Sequence, residues 1–115
     1  MGKGLQYALT TDQLSVHKNP GRNRKTIPFV VVVQSNRFRD TATRVVVPLI
    51  DAKIFGSADS DVGPHFIVDG QEVVFAPLQI AHVPRHVLGP SVASLTAEDG
   101  RIVNALDAML SRAWR

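Results

Sequence analysis

Two blocks of consecutive valines dominate the hydrophobic pattern of the first half of the chain. They occupy residues 29–33 and 44–47, and polar residues or prolines bound them. Short β-branched runs of this length favour strands over buried helices. Because the runs do not alternate with polar residues, we expect both faces of these strands to be covered. A core would cover one face, and another subunit is one candidate for the other.

Shorter patterns predict further strands. Residues 14–17 alternate between apolar and polar and indicate a half-exposed strand, followed by a loop at residues 19–26. Residues 65–68 and 71–75 flank Asp69 and Gly70, residue types that favour the tight turn of a β-hairpin. One more short strand is predicted at residues 85–88.

From about Thr96 the hydrophobic period changes from two to 3.6, which predicts a C-terminal helix. The Thr96 hydroxyl precedes Glu98 and Asp99, an arrangement that favours a capped helix start. A single apolar stripe is expected to contain Ile102, Val103, Leu106, Met109, Leu110 and Ala113. The predicted fold class is therefore mainly β with a C-terminal α-helix.

Composition narrows the class of protein. The chain has 115 residues, room for one domain, and its 44% hydrophobic and 20% charged residues are typical of a globular protein. It has no cysteine, which excludes disulfides and thiolate metal sites. No apolar run approaches the roughly 20 residues that span a bilayer, and the N-terminus lacks the apolar region of a signal peptide. We therefore expect a cytoplasmic protein with no membrane association. Its net charge of +3 gives a mild preference for acidic partners.

The search for catalytic or metal-binding chemistry finds little. His82 and His86 have the spacing of a helical metal pair, but Pro84 lies between them and breaks the helix that this spacing needs. We expect no catalytic residue, no metal and no cofactor.

Two other features are candidate contact sites. A basic cluster in the loop after the first strand is either a solvated hairpin tip or a contact for phosphates or an acidic peptide; it contains Lys18, Arg22, Arg24 and Lys25. The only tryptophan, Trp114, is flanked by Arg112 and Arg115 near the end of the predicted helix. Its ring either folds back on the domain or serves as an interface anchor.

Six segments, in order, resemble the CcdB family, the toxin half of a bacterial toxin–antitoxin pair. The resemblance covers nearly everything from Gln13 onward, so residues 13–115 are expected to form a CcdB-like domain. Residues 1–12 remain as an N-terminal extension whose pattern does not fix whether it is ordered. The six segments are residues 13–19, 28–35, 44–49, 64–68, 80–84 and 104–107.

This resemblance implies a small SH3-like β-barrel with a C-terminal helix that works as a symmetric homodimer. Members of the family insert the ends of their paired helices into the opened DNA gyrase A subunit and trap cleaved DNA, without catalysis of their own. A CcdA-like antitoxin with a disordered acidic tail neutralises the toxin. The two proteins together, and not the toxin alone, bind operator DNA and repress their operon.

The resemblance also implies the contact residues. The Trp-Gly-Ile triplet of the best-known members aligns with residues 111–113, so Trp114 lies two positions later. Asp107 stands where the family has a contact asparagine, and Phe38 keeps the apolar character of one of two family isoleucines. The expected gyrase-binding residues are Trp114, Arg112, Arg115, Phe38 and Asp107.

Two alternatives stay open. Ribonuclease toxins of the MazF kind share the barrel fold, and His17 with Arg22, Arg24 or Arg44 would then cut RNA by acid–base chemistry and phosphate stabilisation. The other alternative is a family member without toxicity that acts only as a binding module.

Overall fold

The computed structural model describes residues 11–55 and 63–111. The strands of this part of the chain are β1 (Ser15–Lys18), β2 (Phe29–Val32), β3 (Thr43–Asp51), β4 (His65–Val68), β5 (Gln71–Phe75), β6 (Ala81–Pro84) and β7 (Ser91–Ser94). The α-helices are α1 (Ala52–Phe55) and α2 (Asp99–Ser111). Short 3-10 turns lie at Asn36–Phe38, Pro77–Gln79, Arg85–Val87 and Thr96–Glu98.

The strands form one antiparallel sheet in the order β4-β5-β3-β2-β1-β7, with β6 also paired to β3. The long strand β3 organises this sheet. One edge of β3 pairs with β2. The other edge pairs first with β6, where Thr43 lies opposite Pro84, and then with β5, where Leu49 lies opposite Phe75. The sheet curls into a half-barrel against the C-terminal helix. The predicted fold class, a small mainly β barrel-like domain with a C-terminal helix, is confirmed.

Both faces of the valine strands are covered, as the unbroken apolar runs predict. Val31 and Val47 belong to the main core, where Ile102 of α2 packs against the sheet. Val32 and Val46 point to the opposite face and form a second cluster with Leu88. The second layer therefore comes from the same chain, and the suggestion that another subunit supplies it is wrong.

The hairpin of β4 and β5 has the predicted tight turn. Asp69 and Gly70 adopt positive φ values of 52° and 78°, as a two-residue primed turn requires. Val68 then lies opposite Gln71, and the register brings Phe66 and Val73 together in the core.

Three local predictions are wrong. Strand β6 ends at Pro84, and residues 85–88, predicted as a strand, begin with a 3-10 turn that the Leu88 N–H closes on the Arg85 carbonyl. Leu95, the residue before the 3-10 turn that leads into α2, provides no side-chain cap, and Thr96 Oγ1 contacts the Ser94 hydroxyl instead. Strand β1 is largely buried rather than half-exposed, because Val16 packs in the main core on one face and His17 packs against the backbone at Gly89 on the other.

The predicted N-terminal extension lies mostly outside the described residues. Its last two positions are described: the Asp12 carbonyl accepts a hydrogen bond from the Ser15 N–H at 3.0 Å, and the Thr11 carbonyl accepts one from Arg44 Nε at 3.2 Å. The boundary at residue 13 stays a prediction.

Candidate functional site

Phe38 stands at the end of the 3-10 turn Asn36–Phe38, between β2 and β3, and its side chain is 57% exposed. The turn is capped by Ser35, whose hydroxyl accepts a hydrogen bond from the Arg37 N–H at 3.2 Å. Asn36 Oδ1 accepts from the Gln13 N–H at 2.8 Å and ties the turn to the segment before β1. An exposed aromatic ring on a tied turn is a candidate interface anchor.

Helix α2 carries a second apolar face that the core does not use. Ile102 and Ala105 are buried against the sheet, whereas Val103 and Leu110 are 60% and 70% exposed. Val103 and Leu110 are seven residues apart and lie on one face, because two helical turns separate them. The predicted apolar stripe is therefore only partly buried, because Val103 and Leu110 remain exposed. The helix packs through a narrow face and leaves the rest of the wide stripe in solvent.

Asp107 also lies on the exposed side of α2, between Val103 and Leu110 along the chain. Its carboxylate accepts a hydrogen bond from the Ser111 hydroxyl at 2.6 Å. The other predicted gyrase contacts, Arg112, Trp114 and Arg115, lie outside the described residues, as does Ala113 of the predicted stripe. Their roles stay predictions.

A groove of about 260 Å³ separates the Phe38 turn from α2. Gln13 and Asn36 line its one side, and Val103 and Leu106 line the other. The turn that carries Phe38 and the exposed helix face thus border the same groove, although they are more than sixty residues apart in the chain.

The basic cluster sits on an ordered loop. The buried Asn19 amide donates to the Ile27 carbonyl at 2.8 Å and accepts from the Gly21 N–H at 2.9 Å. Arg24 Nε donates to the Asn19 carbonyl at 2.9 Å. The four cations of the cluster are all exposed. The ion pair between Arg101 and Glu98 and the hydrogen bond between His65 and Glu72 lie elsewhere.

Two of these cations border an apolar groove. Lys18 and Arg24 line a depression of about 350 Å³ together with Val87, Pro90 and Val92. Positive charges and apolar side chains that line the same groove suit an amphipathic acidic segment better than a bare phosphate, which gains nothing from the apolar contacts.

His17 is a structural residue in the core. It is fully buried, its Nδ1 lies 2.8 Å from the Gly89 carbonyl, and its Nε2 lies 2.8 Å from the Ser15 hydroxyl. A carbonyl only accepts, so Nδ1 carries the proton and Nε2 accepts from Ser15. Burial lowers the pKa of His17, and its contacts with the Gly89 and Pro90 backbone offset this only in part. The imidazole is therefore neutral and has no access to a substrate.

Arg44 is also inaccessible. It is only 4% exposed, and its guanidinium donates to the backbone carbonyls of Arg39 and Thr41 at 2.6 and 2.9 Å. Burial, reinforced by repulsion from Arg85, lowers the pKa of Arg44. Two of the residues that the ribonuclease hypothesis uses, His17 and Arg44, thus serve the fold.

The remaining candidates are dispersed. His82 lies in β6 and His86 in the 3-10 turn after Pro84, so the two do not share a helix. Within residues 11–55 and 63–111, no three side chains of metal-ligating type come together. No helix in the same ranges is long and apolar enough to cross a membrane.

The sequence did not predict the exposed face of α2 or the apolar side chains that line the groove beside the basic cluster. The width of the predicted stripe gave no signal for the first, because it is ordinary for a helix that packs on a core. The second had none, because Val87 and Val92 are distant in sequence from Lys18 and meet it only through the pairing of β7 with β1.

A family model described as CcdB protein matches residues 13–111. The chain therefore belongs to the CcdB family, and this membership indicates a toxin of a toxin–antitoxin system. The family consists of gyrase-poisoning toxins that are not themselves catalysts. A search of curated proteins returns no significant match.

Proposed function

We propose that this protein is a toxin that binds the DNA gyrase A subunit and traps the cleaved gyrase–DNA complex by binding alone. The observation that carries the proposal is the position of Phe38, an exposed ring on a turn that a hydrogen bond ties to the segment before β1. Aromatic and arginine side chains dominate interface energies. Trp114, Arg112 and Arg115 would extend this contact surface beyond the end of α2, with Asp107 at its edge.

The test is a gyrase cleavage assay with purified protein, supercoiled DNA and ATP. The unmodified protein should convert part of the DNA into gyrase-linked broken DNA. Phe38→Ala and Trp114→Ala should each reduce this product by at least tenfold. Ile67→Ala is a matched control, because Ile67 is 67% exposed but lies on the β4–β5 hairpin. Trapping that both variants retain would refute the assignment of the surface.

We also propose that the protein acts as a homodimer formed through the exposed face of α2. Val103 and Leu110 leave an apolar strip on the helix, with Leu106 half-buried beside it. A second copy would cover this strip in a symmetric contact, in which the same residues meet from both sides. Such a dimer would present both helix ends to the target together.

The basic cluster is the proposed contact of an acidic, CcdA-like antitoxin. Lys18 and Arg24 would meet carboxylates while Val87 and Val92 take apolar side chains of the same segment. The complex of the two proteins, rather than the toxin alone, would bind operator DNA. We place this activity in the cytoplasm, where gyrase and chromosomal DNA are found.

If the purified protein binds gyrase but induced expression arrests no growth, it is a binding module without toxicity. The ribonuclease alternative receives no support from the site, because His17 and Arg44 are buried and engaged in hydrogen bonds.

A further inference from the structure

The buried guanidinium of Arg44 donates hydrogen bonds to carbonyls of the loop that carries Phe38. Its Nη2 donates to the Arg39 carbonyl at 2.6 Å, and its Nη1 donates to the Thr41 and Thr43 carbonyls at 2.9 Å each. Its Nε donates to the Thr11 carbonyl at 3.2 Å. This one side chain therefore fixes three carbonyls that follow Phe38 in the chain and one carbonyl in the segment before β1.

Gln34 and Thr41 hold the turn itself. Gln34 Nε2 donates to the Phe38 carbonyl and to Thr41 Oγ1, both at 3.0 Å, while Gln34 Oε1 accepts from the Val45 N–H at 3.1 Å. Thr41 Oγ1 lies 2.9 Å from the Phe38 carbonyl and 3.0 Å from the Thr43 carbonyl. Two side chains of the loop, Gln34 and Thr41, therefore contact the Phe38 carbonyl, while the Phe38 ring is exposed to solvent.

This arrangement differs from that of an ordinary surface loop, whose backbone is free to move until a partner orders it. Ordering a backbone on binding costs conformational entropy, and a backbone that is already fixed avoids that cost. We propose that Arg44, Gln34 and Thr41 are positioning residues that hold Phe38 in its binding conformation before the partner arrives. This inference rests on the proposed function, because it assumes that Phe38 contacts the target.

The charges around the ring indicate the kind of pocket that it fits. Arg37 and Arg39 flank Phe38 in the chain, and Arg85 reaches the same loop by donating to the Arg39 carbonyl at 3.3 Å. Asp40 is the only carboxylate between residues 13 and 50. The matching pocket on the partner would be apolar in its centre and acidic at its rim.

Thr41→Val is the most direct test, because it keeps the shape of an exposed side chain and removes its hydroxyl. Thr43→Val is the matched control, since Thr43 is exposed two residues away and contributes only its backbone carbonyl to these hydrogen bonds. The first readout is amide hydrogen exchange in the free protein, followed by NMR. The N–H groups of Phe38, Arg39 and Thr41 are bonded within the turn. They should exchange at least about tenfold faster in Thr41→Val and at the normal rate in Thr43→Val.

The second readout is the affinity for a purified gyrase A subunit. Thr41→Val should weaken binding by about 5- to 30-fold, the range expected when one residue must be ordered on binding. In a Phe38→Ala background the same change should have no further effect, because the positioned ring is gone. Arg44→Lys should act in the same direction, with Thr41→Val as the variant that keeps the core intact.

The outcomes separate the inference from the proposed function. If Phe38→Ala weakens gyrase binding but Thr41→Val does not, the proposed surface stands and the positioning role is overturned. Normal exchange of the turn amides in Thr41→Val, or an equal loss of affinity with and without Phe38, also overturns it. If Phe38→Ala leaves gyrase binding unchanged, both the proposed surface and the positioning role fail.

Discussion

Replacement of Leu110 by lysine should dissociate the proposed dimer without unfolding the monomer. Leu110 is 70% exposed in the single chain, so the monomer loses little when it is replaced. A lysine near the C-terminal end of a helix is also favourable for the helix dipole. The effect should therefore fall on self-association rather than on the fold.

The magnitude follows from the exposed area. Full burial of a leucine side chain contributes about 1.5–3 kcal/mol. The exposed 70% of Leu110 would thus contribute about 1–2 kcal/mol when a second copy covers it. Symmetry applies the change twice, so Leu110→Lys should cost about 2–4 kcal/mol per dimer and raise the dimer Kd by about 30- to 1,000-fold.

Sedimentation equilibrium over a range of protein concentrations measures this shift, and far-UV circular dichroism checks the fold. Asn104→Lys is the matched control. It adds the same charge to an exposed position of the same helix, but that position faces about 120° away from Leu110 around the helix axis. The control should keep the wild-type dimer Kd. A Leu110→Lys protein that dimerises as tightly as the wild type would refute the proposed interface.

Three further predictions address the fold and the basic groove. The pKa of His17 is lowered from 6.5 in the folded protein, so as the pH falls below about 6.5 the imidazole takes up a proton first in the unfolded chain. The free energy of unfolding should therefore drop by up to about 1.4 kcal/mol per pH unit. Urea titrations between pH 7.5 and 5 test this, and His17→Gln should flatten the slope. Gly70→Ala should destabilise the fold by about 1 kcal/mol, since Gly70 has a φ of 78°. Gly100→Ala, in the first turn of α2, should stabilise it by about 0.5–1 kcal/mol, and thermal melts compare the two. Lys18→Glu with Arg24→Glu should weaken binding of an acidic antitoxin and reduce the dependence of its Kd on salt, whereas Lys53→Glu should not.

The structure confirms the predicted strands and helix where a single local rule is enough to determine the element. The valine runs needed only their length and branching, and the hairpin needed only Asp69 and Gly70. Local rules failed where tertiary pairing decided the outcome. Residues 85–88 have strand-like composition, yet β3 pairs with the four residues before them, and Pro84 ends that pairing.

The residues of the candidate site also fall into two groups, those that a local pattern predicts and those that depend on the tertiary structure. The basic cluster is exposed, as expected for a polar loop, whereas Phe38 was singled out only by the resemblance to the family. The exposed face of α2 was not foreseen, since the period of 3.6 shows which residues share a face but not how wide the packing surface is. The roles of His17 and Arg44 also needed the structure. Burial and hydrogen-bond partners separate a structural residue from a catalytic one, and these come from segments distant in sequence.

The central claim is that this protein harms its target by binding and not by catalysis. The most direct measurement incubates the purified protein with gyrase, DNA and ATP, and in parallel with total RNA. We expect gyrase-linked broken DNA, which is lost in Phe38→Ala, and intact RNA. Site-specific RNA cleavage, or gyrase that turns over normally at saturating protein, would contradict it.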